Sequence, residues 1–362
     1  GVDAKAVRYT ENGAVLIEAE HIVWTGQAGE EPAALAQGAE RHDYGDDLIL
    51  PGFVDGHVHY PQIGVIASFG EQLLDWLEKY TFPEEARFSD PAYARDTAKL
   101  FLDLLLANGT TTAAVYCTVH PESADAFFEE STTRNLRMIA GKILMDRNAP
   151  TSVQDTAQSG YDDSKALIGK WHGQGRNLYA VTPRFAPTST PAQLEACGAL
   201  MTEFNDIYLQ SHVSENTDEI KWVAELFPDA RSYQDVYARY GMLGPRALYG
   251  HAIHMDAADL AQAAETRTKF VHCPTSNLFI GSGLFRMNET RKAGVDVMLG
   301  CDVGGGTSLS PFATMKAAYE IAQFSGYSLT PEEAFWLSTA GGAETLSLAD
   351  KIGRLAPGYE AD

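Results

Sequence analysis

Eight short β-rich runs, separated by longer stretches of helical period, constrain this chain more tightly than any other feature of its sequence. The runs fall at residues 48–59, 110–117, 136–145, 178–185, 206–214, 247–253, 269–275 and 295–302. Strands that alternate with amphipathic helices make repeated βα units and a parallel sheet. Eight of them close into a ring, so an α/β fold of (β/α)8 TIM-like barrel type is expected. Within ARDTAKLFLDLLLANG the helical period is read as placing Leu100, Leu104 and Leu105 on one stripe, with Asn108-Gly109 as the stop. SENTDEIKWVAELF, after the fifth run, opens on a capping sequence.

Residues 1–47 differ in kind. VRYTENGAVLIEAEHIVWTG alternates around Asn12-Gly13 and predicts a β-hairpin outside the barrel. The expected division is therefore 1–47 for the N-terminal part of a small β-sandwich appendage, 48–345 for the barrel, and 346–362 for a return toward the appendage. GRLAPGYEAD stops where more strand sequence is expected, so the appendage is expected to be incomplete at its C-terminal side.

Lys+Arg 27 against Asp+Glu 49 leaves a net charge of −22, which repels nucleic acid and anionic membrane surfaces. A hydrophobic content of 45%, without charge blocks, excludes intrinsic disorder. The longest apolar stretch, around residue 104, contains a charge and falls short of the ~20 residues a membrane span needs. Nothing in residues 1–30 reads as a secretory leader. Cys117, Cys197, Cys273 and Cys301 are widely spaced with no CxxC pair, which points to a reducing, cytoplasmic compartment.

A TIM barrel carries its active site at the C-terminal ends of its strands. His57 and His59 end the first run, and a period of two turns both side chains to one face, where two imidazoles can share a metal. Two incidental histidines on a half-buried strand would look the same. His212 closes the fifth run, His251 lies near the end of the sixth, and Asp302 ends the eighth. Five such groups on one rim would be buried and unpaired unless an ion collected them. Imidazole-rich ligation with one carboxylate and no cysteine cluster favours zinc, with iron as the alternative, over magnesium or calcium. His254 competes with His251. His251 is preferred because Gly250 lets the backbone turn at the strand end, while His254 lies nearer the predicted helix cap Asp256. His272 is either a further rim group or a core histidine held by one hydrogen bond. His21, His42, His120 and His172 are read as solvated bystanders.

Glu215 stands three residues beyond His212, where a carboxylate can take a proton from an activated water and return it to a leaving group. Its alternative role is a carboxylate favoured by a helix N-terminus. Asp302 can also accept a proton from the attacking water. Arg184 and Phe185 end the fourth run: the arginine either meets a ligand or is salt-bridged across the rim, and the ring can stack on a flat ligand. Gln62 can both donate and accept toward a heterocycle edge. Val303-Gly304-Gly305-Gly306 lets backbone approach a ligand closely, and no segment has Walker or dinucleotide spacing.

PGFVDGHVHYPQ (51–62) resembles the opening metal motif of the amidohydrolase superfamily, and its Tyr-Pro-Gln extension resembles the guanine deaminase family in particular. YTFPEEARF (80–88), VTPRF (181–185), QSHVSEN (210–216), HCPTSNLFIGSGLF (272–285) and CDVGGGTS (301–308) are similar to the same family, in order, from about residue 48 to the end. The resemblance implies that His57, His59, His212, His251 and Asp302 hold one Zn2+, and that Glu215 shuttles protons. It also implies that Gln62, Arg184 and Phe185 contact a purine, with His212 and Glu215 lining the pocket. Hydrolytic deamination of guanine to xanthine and ammonia is the implied reaction and a homodimer the implied assembly. Family members continue past GYEAD into further strands.

Three alternatives accompany this expectation. A binuclear cyclic-amide hydrolase commonly needs a bridging lysine on the fourth strand; LYAVTPRF has none, and Lys142 on the third is the only nearby substitute. A deaminase of another heterocycle would share the metal ring and differ only in the pocket. A catalytically silent barrel that binds partners would have little reason to keep every ligand.

Overall fold

The computed structural model describes residues 7–362. Strands β1 (Gly13–Glu18) and β2 (His21–Gln27) form the expected antiparallel hairpin, but its turn is not at Asn12-Gly13. Glu18 pairs with His21, which leaves Ala19-Glu20 as the loop. The polar stretch between the apolar runs AVLI and IVW is the natural turn once those runs pair. Asn12, at φ 49°, only leads the chain into β1. The C-terminal segment returns to this hairpin: Glu360 bridges His21, and Ile22 exchanges backbone bonds with Gly358 and Tyr359.

The barrel wall consists of β3 (Phe53–His59), β4 (Thr110–Tyr116), β5 (Arg137–Gly141), β6 (Ile143–Leu144), β7 (Leu178–Pro183), β8 (Tyr208–Val213), β9 (Ala247–His251), β10 (Lys269–His272) and β11 (Val297–Leu299). Every one of the eight expected runs supplies wall, the third being broken at Lys142 into β5 and β6. Neighbours along the order β3-β4-β5-β7-β8-β9-β10-β11 pair in parallel. The ring is drawn shut by the His59 N–H donating to the Val303 carbonyl (2.9 Å) and the Asp302 N–H donating to the His57 carbonyl (2.8 Å).

Val54, Ala114, Ile139, Ala180, Tyr208, Leu248, Val271 and Met298, one from each staved position, fill the barrel interior. Ala343, Leu346 and Ile352 close it from the other side. That plug leaves the C-terminal mouth as the open end. The larger apolar layer lies between strands and surrounding helices. There the helix Pro91–Ala107 buries Ala94, Ala98, Phe101, Leu102 and Leu105, whereas Leu100 is 53% exposed. Leu100 therefore falls outside the expected stripe: Leu105 is five residues beyond it, about 140° round the helix, so the two cannot share a face. Asp90 caps this helix through the Ala92 N–H, and Gly109 at φ 79° ends it. Among the described residues no helix is long and apolar enough to cross a membrane.

Candidate active site

Strict alternation from Val54, which faces the plug, would turn His57 and His59 outward. The register of β3 against β4 prevents this, because Asp55 pairs with Ala113 and Val58 with Val115, so β3 carries one extra residue there. That bulge reverses the phase: Val58 joins the outer apolar layer while His57 and His59 turn into the mouth. The buried Asp55 carboxylate accepts from the His57 N–H (3.0 Å) and the Cys301 N–H (3.1 Å), fastening β3 to the chain beyond β11. Burial pushes its carboxyl up to about 6.

Donor atoms of His57, His212, His251 and Asp302 lie within 4.8 Å of one another. His59 joins them, with its Nε2 at 3.2 Å from His57 Nε2, 3.3 Å from His212 Nε2 and 3.4 Å from Asp302 Oδ1. The far ring nitrogens are fixed by other groups. His212 Nδ1 lies 2.6 Å from the Arg184 carbonyl and His251 Nδ1 2.9 Å from Asn277 Oδ1, which leaves both Nε2 atoms for the centre. Burial lowers the pKa of His57, His59 and His212, so these rings are neutral. At His251 the effect of burial is outweighed by Glu215 and Asp302 beside it, which push its pKa the other way. Imidazole nitrogens gathered around one carboxylate are a donor set that could hold a divalent metal.

The chain pays locally for this convergence. His251 and Asp302 have φ of 68° and 51°, left-handed values that residues other than glycine adopt only when their surroundings impose them. Here the sequence expectation needs correction. Gly250 is not the residue that turns the strand end; His251 and Ala252 (φ 46°) do that. Gly250 is instead needed for space, since a Cβ there would sit 2.6 Å from His57 Cε1 and one at Gly300 2.7 Å from His57 Cβ.

A cleft opens over the cluster, lined by Gln62, Arg184, Phe185, Glu215 and Gly305 together with the apolar Leu73, Trp76 and Leu77. The helix Thr217–Leu226 begins beyond Glu215, capped by Asn216 with Glu219. Glu215 Oε1 accepts from the Ser282 hydroxyl (2.9 Å), and Oε2 lies 3.3 Å from His251 Nε2. Burial pushes its carboxyl up to about 7. Arg184 meets both a carboxylate and the cavity: its Nη1 donates to Glu85 Oε1 and Oε2 at 2.9 and 2.7 Å. Gln62 donates to Glu85 Oε1 (3.0 Å) and accepts from the Gly304 N–H (3.1 Å).

The remaining expected residues fall elsewhere. His254 is exposed, bonded to the Ser282 carbonyl (3.0 Å). His272 stacks on Phe285 with centroids 4.6 Å apart, and burial pushes its pKa down to about 3. Lys142 is fully buried but turned to Asp155 (2.6 Å) on the helix side, so it bridges no second metal. Glu85, Asp55, Asn277 and Ser282 were not singled out from the sequence. The available signal for Glu85 was Arg184, a guanidinium among apolar residues that required an acidic partner.

The sequence pattern of the amidohydrolase family matches residues 48–362. The guanine deaminase of Escherichia coli (strain K12) is 46% identical over 99% of this chain and 82% of its own length. The solved structure of E. coli guanine deaminase covers 99% of this chain and 83% of its own at a TM-score of 0.95 and 45% identity. A guanine deaminase from C. acetobutylicum, solved with guanine bound in its active site, matches 97% of this chain and 84% of its own at a TM-score of 0.89 and 28% identity. This chain belongs to the amidohydrolase family, and within it is similar to the guanine deaminases.

Proposed function

We propose that this protein deaminates guanine hydrolytically, giving xanthine and ammonia. The observation that carries the proposal is one cavity with a metal-type donor cluster and a carboxyl of pKa about 7 on one side and a guanidinium–carboxamide pair on the other. The similarity to guanine deaminases supports the same reaction. His57, His59, His212, His251 and Asp302 would hold the metal, and the imidazole-rich set favours Zn2+ over Fe2+. A divalent metal bound there supplies Lewis acidity and brings the pKa of a water toward ~7.

The chain's own groups do the rest. Arg184 and Gln62 orient the base through its carbonyl edge, and Phe185 offers a ring face. Glu215, with Oε1 held by Ser282, takes one proton of the attacking water at Oε2 and gives it to a ring nitrogen beside C2. It then passes the second proton, from the hydroxyl now on C2, to the amine, so that the C2–N bond breaks as the C2 carbonyl forms and ammonia departs. Asp302 shares the first of these transfers. Leu73, Trp76 and Leu77 limit water above the ring.

The four buried, unpaired cysteines support a cytoplasmic setting, and exposed Phe312 and Phe324 offer apolar surface to a second copy in a homodimer. A nucleobase panel assayed for ammonia release tests the reaction: guanine is expected to be consumed, adenine and cytosine not. Equal turnover of adenine would leave a metal aminohydrolase with a different pocket.

A further inference from the structure

Glu85 is fully buried, pairs with Arg184, and among the described residues belongs to no metal-type donor cluster. Its two oxygens take both bonds from Arg184 Nη1 and one from Gln62 Nε2, and Gln62 Oε1 is held in turn by the Gly304 N–H. Among the described residues Arg184 makes its side-chain hydrogen bonds only through Nη1, so Nε and Nη2 keep donors for the cavity it lines. Phe82, on the same segment as Glu85, lies under the guanidinium, 5.4 Å from its ring centroid to Cζ. A long side chain with four rotatable bonds is thereby confined to one orientation.

We propose that Glu85 is a specificity-determining positioning residue: it locks Arg184 and Gln62 into one donor array that reads the oxygen at C6 of a purine. The inference rests on the guanine deaminase reading, and it goes further by assigning that oxygen's recognition to a carboxylate that does not touch the ligand. By cancelling the guanidinium charge, Glu85 also makes the array suited to a neutral carbonyl.

The test separates positioning from folding by using ligands that differ at C6 and in the hydrogen on the adjoining N1. Hypoxanthine has the oxygen and no amine at C2, whereas purine lacks both. Inhibition constants for each are measured against guanine turnover in wild-type and Glu85→Gln holoenzyme, with metal content and thermal unfolding recorded alongside. Glu85→Gln is expected to weaken hypoxanthine, and to lower kcat/KM for guanine, by about 10–100-fold, the worth of a charge-assisted hydrogen bond. Purine binding is expected to stay within about twofold, because no contact with it depends on the array. Glu85→Asp, with the charge kept on a shorter arm, should show the same selectivity at smaller size. Equal losses for both ligands, or none for hypoxanthine, overturn the proposal, as does failure of both variants to fold with metal bound. Absence of guanine turnover in the wild type would instead overturn the reaction assigned above.

Discussion

Glu215 shows how much one side chain's surroundings decide. A carboxylate beside a metal ligand is unremarkable in sequence, yet burial moves it to about 7, where it can both accept and donate a proton near neutrality. Glu215→Gln keeps the shape and the Ser282 contact but cannot carry a proton. Turnover is expected to fall ~10²–10⁴-fold with bound metal unchanged; loss of the metal with the activity would make it a ligand. His272 makes a second prediction of this kind, for stability. Its ordinary pKa of 6.5 falls to about 3 in the fold, so the unfolded chain takes up the proton first as pH drops. Stability is therefore present above 6.5 and lost as pH falls toward 3. From about pH 7 to about pH 5 the loss from this ring is about 2 kcal/mol. Urea unfolding at both pH values should show a smaller difference in His272→Phe, and an identical difference would contradict the assignment.

At the scale of elements, the bulge in β3 and the small residues on β9 and after β11 act together. One extra residue turns His57 inward, and Gly250 and Gly300 leave the space its ring enters. Gly250→Ala would place a methyl 2.6 Å from His57 Cε1. Displacing the ring is expected to lower metal content in elemental analysis, with about 1–3 kcal/mol lost from overpacking. Full occupancy and unchanged stability would mean that the strand end yields more easily than its backbone bonds imply.

At the scale of the molecule, the C-terminal segment is tied back across the barrel floor. Glu360 pairs with Arg137 and Arg176, and Arg176 also meets Asp362 (2.6 Å). Glu360 further bridges the hairpin at His21, so one residue joins appendage and wall. Removing it leaves the little-exposed Arg137 without its carboxylate. Glu360→Ala is expected to cost about 2–4 kcal/mol in thermal or denaturant unfolding while leaving kcat on guanine near wild type, since the floor is the opposite end from the mouth. A selective loss of activity without destabilisation would argue for coupling between the two ends.

Local pattern was enough to reveal the eight-stave barrel and the polar residues at or just beyond the ends of its staves, because strand and helix periods are local; Asp302 and Arg184 lie past the last paired residues, Leu299 and Pro183. The same pattern was enough to single out the five side chains that the fold brings together at the mouth, and Gln62, Arg184, Phe185 and Glu215 in the cleft walls, as candidates whose roles belong to the proposed function. Helix faces were less legible: Leu100 could be placed only once the helix had neighbours. The hairpin turn shifted to Ala19-Glu20 because pairing of two apolar runs outweighs a favourable Asn-Gly dipeptide. Tertiary structure alone decided the inward phase of His57, which depends on register against β4, and the partner of Arg184, which lies 99 residues away in sequence. Both are contacts between distant segments, and an unpaired buried charge announces that it needs a partner without saying where in the chain that partner is.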